Sequence, residues 1–148
     1  MGIGADPEDH GDVDLDQARD FLRSHHHAVL ATTRSDGAPQ LSPVAVGIDE
    51  DGAAVISTRE TAVKTKNLRR TPRAWLAVLN DGFFGEWAQV EGDVEIVDLP
   101  DALEHLRTLY RQVAGEHPDW ADFDEAMRRE KRVAVRIRLD RAGPSVSG

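Results

Sequence analysis

Residues 57–70 (STRETAVKTKNLRR) place several cations where a strand-like run gives way to a helix-like run. Lys64 lies in the first turn of the predicted helix, and Thr61 is its predicted N-cap. Backbone N–H groups at a helix N-terminus carry a partial positive charge, and an ammonium there adds a charge-assisted hydrogen bond. The segment therefore indicates a phosphate site, with further hydroxyls from Ser57 and Thr58. The alternative is a solvated basic helix face.

This basic segment stands out because the chain as a whole is acidic. The 148 residues include 18 Lys and Arg against 27 Asp and Glu, which gives a formal net charge of −9. Six of the basic residues fall within residues 59–73, where Glu60 is the single acid. Net negative charge repels nucleic acids and anionic membranes, so we expect neither as a partner. A local cationic island suits a small anionic ligand.

Several other chemistries are excluded by residue type. The chain has no cysteine, which rules out disulfides, thiol catalysis and thiolate metal sites. His25, His26 and His27 are adjacent, so they cannot all face one ion on regular structure, and further ligands at suitable spacing are missing. We therefore predict no metal site. No catalytic triad or carboxylate pair stands out, and no catalytic residue is assigned.

Composition indicates a soluble protein with one folded domain. The chain is 40% hydrophobic and 30% charged, and it has no apolar run near the 18 residues that a membrane span needs. Its N-terminus is acidic and lacks a signal-peptide pattern, so we expect a cytoplasmic location. We predict a disordered tail over residues 1–13, a domain over 14–141 and a C-terminal tail over 142–148.

The remaining pattern is mainly β with flanking helices, an α+β chain. Helical spacing predicts helices over residues 15–25, 61–70, 101–113 and 119–129. Apolar or alternating runs predict strands over residues 28–34, 40–48, 53–58, 74–79, 86–97 and 132–139. Asp-Gly pairs mark three of the turns between strands, which favours antiparallel hairpins. Six short strands in one domain predict an antiparallel barrel, because closure removes exposed edges.

An ordered set of motifs resembles the F420-dependent branch of the pyridoxamine 5′-phosphate oxidase-like superfamily, the flavin and deazaflavin split barrels. Single pieces of it are weak signals, whereas the set at these spacings is specific. It covers roughly residues 15–140 and comprises residues 30–43 (LATTRSDGAPQLSP), 62–74 (AVKTKNLRRTPRA), 90–92 (VEG), 109–120 (LYRQVAGEHPDW), 126–129 (AMRR) and 132–135 (RVAV).

The resemblance implies a six-stranded split β-barrel of the FMN-binding type that forms a homodimer, with two cofactor sites at the subunit interface. It implies that Lys64 grips the cofactor phosphate. The backbone of Ala62, Val63 and Thr65 would surround Lys64 at the phosphate site. The flavin-like ring would be lined by Gln40, Ser42, Ser57 and Thr58. Asn67 would brace the loop. Relatives often carry an arginine in place of Ala62, and Lys66 or Arg59 is the candidate to compensate.

Trp87 is a further candidate for the ligand pocket. It begins the long strand predicted over residues 86–97, next to the loop that holds Phe83 and Phe84. From there it could line the pocket of the partner subunit. The alternative is packing in the core or the interface, where large aromatic side chains are also common.

The implied function is an F420-dependent oxidoreductase that passes a hydride from the reduced deazaflavin to a small conjugated or unsaturated acceptor. In such enzymes the cofactor ring does the redox chemistry and the protein orients it. One alternative is an FMN-dependent enzyme related to pyridoxamine phosphate oxidase, although the chain lacks the longer C-terminal segment of those oxidases. The other is a non-enzymatic flavin-, deazaflavin- or haem-binding protein, since a fold does not determine a function.

Overall fold

One curled antiparallel sheet organises the chain in the computed structural model, which describes residues 14–143. Its strands are β1 (His27–Thr33), β2 (Pro39–Ala45), β3 (Gly47–Ile48), β4 (Ala54–Arg59), β5 (Arg73–Leu79), β6 (Trp87–Val97) and β7 (Arg132–Ala142). The helices are α1 (Leu15–Ser24), α2 (Val63–Arg70), α3 (Ala102–Ala114) and α4 (Trp120–Arg129). All four helices and all six strand segments predicted from the sequence are present.

The strand order β2-β1-β5-β6-β7-β4-β3 is that of a curled sheet whose two edges approach each other where β2 nears β4. This confirms the predicted split barrel, with seven strands within residues 14–143 instead of six. The difference lies in the segment 40–48, which divides at Val46. The Val46 N–H donates to the His26 carbonyl oxygen at 2.9 Å, so β2 pairs with β1 while β3 turns away to pair with β4.

The barrel interior is filled by the inward side chains of alternating strands. Leu30, Ile56, Leu76 and Ile137 are at most 1% exposed and belong to one apolar cluster. Helix α1 adds Leu22 to the same cluster. Burial of this kind is the main stabilising term for the domain.

Helices α3 and α4 cover the outer face of β4 and β7. Leu106 of α3 and Phe123 of α4 form a second apolar cluster with Ala134 of β7. The Arg107 guanidinium holds the two helices together through Asp124, donating from Nε to Oδ1 at 2.9 Å. This hydrogen bond lowers the pKa of the Asp124 carboxyl below its ordinary value.

The outer face of β2, β1, β5 and β6 carries apolar side chains that are only partly buried. Leu41 is 63% exposed, and Val29, Trp75 and Trp87 are half-buried. In the strand register, Ala31 of β1 lies opposite both Leu41 and Trp75, which makes the surface continuous. A contiguous apolar face of this kind is typical of a protein–protein contact.

Two predictions fall partly or wholly outside the described residues. The tail over residues 1–13 lies outside them, and of residues 142–148 only Ala142 and Gly143 are described. Ala142 ends β7 and pairs with Val90 of β6, so the last strand runs three residues beyond its predicted end. Within residues 14–143, no helix is long and apolar enough to cross a membrane.

Candidate functional site

The N-terminus of α2 receives no hydrogen bond from the side chain of its N-cap residue, which makes it a candidate anion site. The N-cap is Ala62, one residue later than the predicted Thr61, because the Ala62 N–H closes a turn onto the Arg59 carbonyl oxygen at 3.1 Å before the helix begins. A methyl side chain cannot accept a hydrogen bond, whereas Ser, Thr, Asp or Asn at this position would occupy the first N–H groups. Lys64, in the first turn, is half-buried.

A buried pair of threonines anchors this helix to the end of β4. The Thr65 hydroxyl lies 2.6 Å from the Arg59 carbonyl oxygen and 3.2 Å from Thr58 Oγ1. Thr58 and Thr65 are 1% and 0% exposed. Thr58 was predicted to line the ring, and its hydroxyl faces the barrel interior, where it helps to position α2. Ser57, its neighbour, points to the opposite face of β4.

A second polar chain ties α2 to β1 and β2. Asn67 Nδ2 donates to Thr32 Oγ1 at 3.1 Å, and Asn67 Oδ1 accepts from Arg70 Nη2 at 2.8 Å. Arg70 also donates to the Thr33 carbonyl oxygen at 2.9 Å. Thr32 Oγ1 donates to Gln40 Oε1 at 3.3 Å. The structure thus brings the predicted residues Asn67 and Gln40 together through Thr32, which sequence reasoning missed. The sequence signal that could have identified Thr32 is a polar residue at an inward-facing position of an alternating strand.

Ser42 has a buried hydroxyl that is not satisfied within the chain. It lies opposite Leu30 in the β1–β2 register, and its Oγ has no hydrogen-bond partner among the described residues. An unpaired buried hydroxyl costs about 1–3 kcal/mol. Strand β2 therefore offers one hydrogen-bonding group that the described residues do not use.

A cavity of about 320 Å³ lies beside Ser57, between β4 and the helices α3 and α4. Apart from Ser57, Ala45 and Arg132, its lining is apolar or aromatic and comes from the two helices: Leu106, Leu109, Tyr110, Val113, Phe123 and Met127. Concave, mainly apolar sites with a few polar groups are the usual form of small-molecule sites.

Other predicted site residues lie apart from this region or on its surface. Val63 is 60% exposed, and Lys66 is exposed on α2. Trp87 pairs with Leu79 at the end of the β5–β6 ladder opposite to Arg73. Leu79 is six residues from Arg73 along β5, so the two ends of this ladder are about 20 Å apart. One protomer therefore does not bring Trp87 to α2, and its predicted role requires a second copy.

Metal chemistry has no candidate centre in the described part of the chain. Among residues 14–143, no group of three or more His, Cys, Asp or Glu side chains could hold an ion. His25 instead stacks on Phe21 at 3.9 Å between ring centroids, and His26 Nδ1 lies 2.9 Å from the Val46 carbonyl oxygen. These contacts give two of the three adjacent histidines structural roles.

The sequence matches one protein family model and is similar to a curated protein. The family model described as pyridoxamine 5′-phosphate oxidase matches residues 15–144. The F420H(2)-dependent biliverdin reductase of Mycobacterium tuberculosis (strain CDC 1551 / Oshkosh) is 31% identical over 97 residues, which span 66% of this chain and 69% of that protein.

Solved structures show the same fold. The conserved hypothetical protein Rv2991 from Mycobacterium tuberculosis superposes with a TM-score of 0.75 and 27% identity, over 93% of this chain and 87% of that one. A structure described as F420 reductase superposes with a TM-score of 0.66 and 22% identity, over 84% of this chain and 94% of that one. At this identity the second likeness shows the fold alone.

Proposed function

The chain belongs to the pyridoxamine 5′-phosphate oxidase family, and within it we propose an oxidoreductase that uses the deazaflavin coenzyme F420. The observation that carries this proposal is the uncapped N-terminus of α2 with Lys64 in its first turn. Such a site binds a phosphate group, which F420 and FMN both carry. The name of the 31% identical relative favours F420 over FMN.

The residues around α2 fit a phosphate-bearing ring cofactor. The Lys64 ammonium and the first N–H groups of α2 would hold the phosphate, and Asn67 keeps the helix in place through Thr32. Ser57 and the unpaired Ser42 hydroxyl would orient the ring. When bound and reduced, F420 would supply a hydride to a conjugated acceptor, and a proton from water or a nearby side chain would complete the two-electron reduction.

FMN is the second candidate cofactor, because the phosphate site does not distinguish the two. Titration of the purified apo-protein with F420 and with FMN, side by side, decides between them. We expect F420 to bind more tightly. Consumption of reduced F420, followed by the return of the oxidised deazaflavin absorbance, should then depend on both protein and acceptor. Biliverdin, named for the curated relative, is the first acceptor to test. Tighter binding of FMN would contradict the F420 assignment.

We propose further that two copies form a homodimer through the outer face of β2, β1, β5 and β6, with cofactor sites at the interface. The partly exposed apolar side chains Leu41, Trp75 and Trp87 support this, since they lie on one continuous surface. In this arrangement Trp87 of one copy would reach the site of the other, which a single protomer does not allow.

Light scattering should give a mass of twice 16.3 kDa for this dimer. Leu41→Asp should shift the protein to the monomer, because a carboxylate would be desolvated in the interface. Ala121→Asp is the matched control: it adds the same charge at an exposed position of α4 and should leave the dimer intact. A native protein that scatters as a monomer would contradict the proposal.

A further inference from the structure

We propose that the cavity between α3, α4 and β4 binds the hydride acceptor, and that this acceptor is a conjugated apolar molecule with a carboxylate that Arg59 and Arg132 bind. This inference rests on the proposed function, because only a reductase has a hydride acceptor.

The cavity has rigid aromatic walls that suit a flat conjugated body. Tyr110 packs edge-on against Trp120 and Phe123 with ring centroids 5.9 and 5.3 Å apart, and the tilted His117 ring lies 4.9 Å from Tyr110. Aromatic side chains fixed by their neighbours lose little freedom when a ligand binds. Val113, at 42% exposure, lies at the outer part of the lining.

Contacts outside the cavity fix the position of α3 relative to the sheet and to α4. The Ile48 N–H donates to Gln112 Oε1 at 2.8 Å, which ties the end of α3 to β3. Arg107 and Asp124 tie α3 to α4 on the other side. With these positions set, an apolar ligand in the cavity would gain contacts with the apolar lining.

Two arginines meet at the edge of this cavity without enough negative charge to balance them. Arg59 of β4 lies directly opposite Arg132 of β7, and Arg132 lines the cavity. Glu130 is shared between them: its Oε1 lies 2.9 Å from both Nε and Nη2 of Arg132, and 3.8 Å from Arg59 Nη2. Glu60 and Lys131 next to them carry one charge of each sign. One positive charge is therefore in excess.

Like charges directly opposite each other destabilise a strand pair, so the arginine pair is a cost to the fold that a bound anion would offset. Planar guanidinium groups bind carboxylates through two parallel hydrogen bonds. Arg132 is 27% exposed at its side chain, which leaves it accessible to a ligand. An acceptor carboxylate at this edge would orient the apolar body into the cavity.

The cavity shares Ser57 with the proposed cofactor site. Ser57 lines the cavity, and Arg59, two residues later, projects to the same side. Helix α2 begins at Val63, directly after the turn that follows β4. An acceptor here would lie next to a ring held by Ser57 and Lys64, as hydride transfer requires.

The test uses 1-anilinonaphthalene-8-sulfonate, whose aromatic rings and sulfonate match the proposed chemistry and whose fluorescence rises in apolar sites. It is titrated into the full chain without cofactor. Val113→Trp, which narrows the cavity, and Arg132→Gln, which removes the edge charge, should each raise its dissociation constant roughly tenfold. Ala121→Trp and Arg129→Gln are the matched controls on exposed positions of α4, and they should leave the constant unchanged.

Equal probe affinity in the native chain and both cavity variants would overturn the proposal, as would an equal loss in the controls. If the second copy of the dimer already occupied the cavity, the probe would bind the native chain and both cavity variants equally. F420 titrations of the same variants separate the two proposals: F420 affinity should be unchanged while the KM for biliverdin rises. Absence of F420 binding by the native chain would contradict the cofactor assignment and leave the probe result to decide the cavity.

Discussion

Lys64→Ala should weaken F420 binding by about 1.5–3 kcal/mol, which is roughly a 10- to 150-fold higher dissociation constant. The ammonium lies in the first turn of a helix whose N-cap, Ala62, leaves the N–H groups available. The helix N-terminus and the lysine therefore act on the same phosphate, and the lysine supplies the formal charge. Fluorescence titration of the deazaflavin measures the effect.

The control for this substitution is Arg23→Ala, which removes one positive charge from an exposed position of α1. It should leave F420 affinity unchanged. Added salt should weaken binding to the native protein and have less effect on Lys64→Ala, because salt screens a charge that the variant lacks. Unchanged affinity in Lys64→Ala would show that this lysine does not contact the cofactor. The proposal of a phosphate site at the N-terminus of α2 would then lose its main support.

Gly92→Ala should lower the free energy of unfolding by about 3 kcal/mol, because overpacking next to the backbone forces the strands apart. A Cβ at residue 92 would lie 1.9 Å from the Arg138 carbonyl oxygen and 2.6 Å from its carbonyl carbon. Gly92 stands at a β-bulge, where the β6–β7 register shifts between Glu91 and Gly92. Without a side chain, the two strands can approach closely enough to form it.

Urea unfolding with a matched variant measures this effect. Gly82→Ala makes the same substitution in an exposed loop, where the nearest atom is the Asn80 side-chain oxygen at 3.3 Å. We expect a change of about 0.5 kcal/mol or less there, as for most surface substitutions. Similar losses in both variants would mean that the effect comes from backbone flexibility and not from the close approach of β6 to β7.

Local patterns in the sequence predicted the elements of the fold well, and the places where they failed have definite causes. The segment 40–48 alternates continuously, so nothing local marks the change of partner at Val46, which depends on a hydrogen bond to His26. The N-cap of α2 is Ala62 and not the predicted Thr61, because a turn closed by the Ala62 N–H and the Arg59 carbonyl oxygen precedes the helix. Both are decided by backbone contacts that residue types do not encode.

For the candidate site, the sequence identified residues more readily than their surroundings. Lys64 and the start of α2 follow from charge and helix signals within one short segment. The opposite directions of Ser57 and Thr58 were implicit in strand alternation, but which face lies inside depends on the packing of the whole sheet. Thr32 carried no motif, and its role between Asn67 and Gln40 emerges only when α2, β1 and β2 are brought together.

By itself, the sequence determined that this is an acidic, mainly β chain with one cationic helix start, because alternation, Asp-Gly turns and local charge are properties of neighbouring residues. Only the tertiary structure decided that Arg59 lies opposite Arg132 on the neighbouring strand and that α3 and α4 line a cavity beside Ser57. Strand register and helix packing join residues far apart in the chain, so no local pattern specifies them.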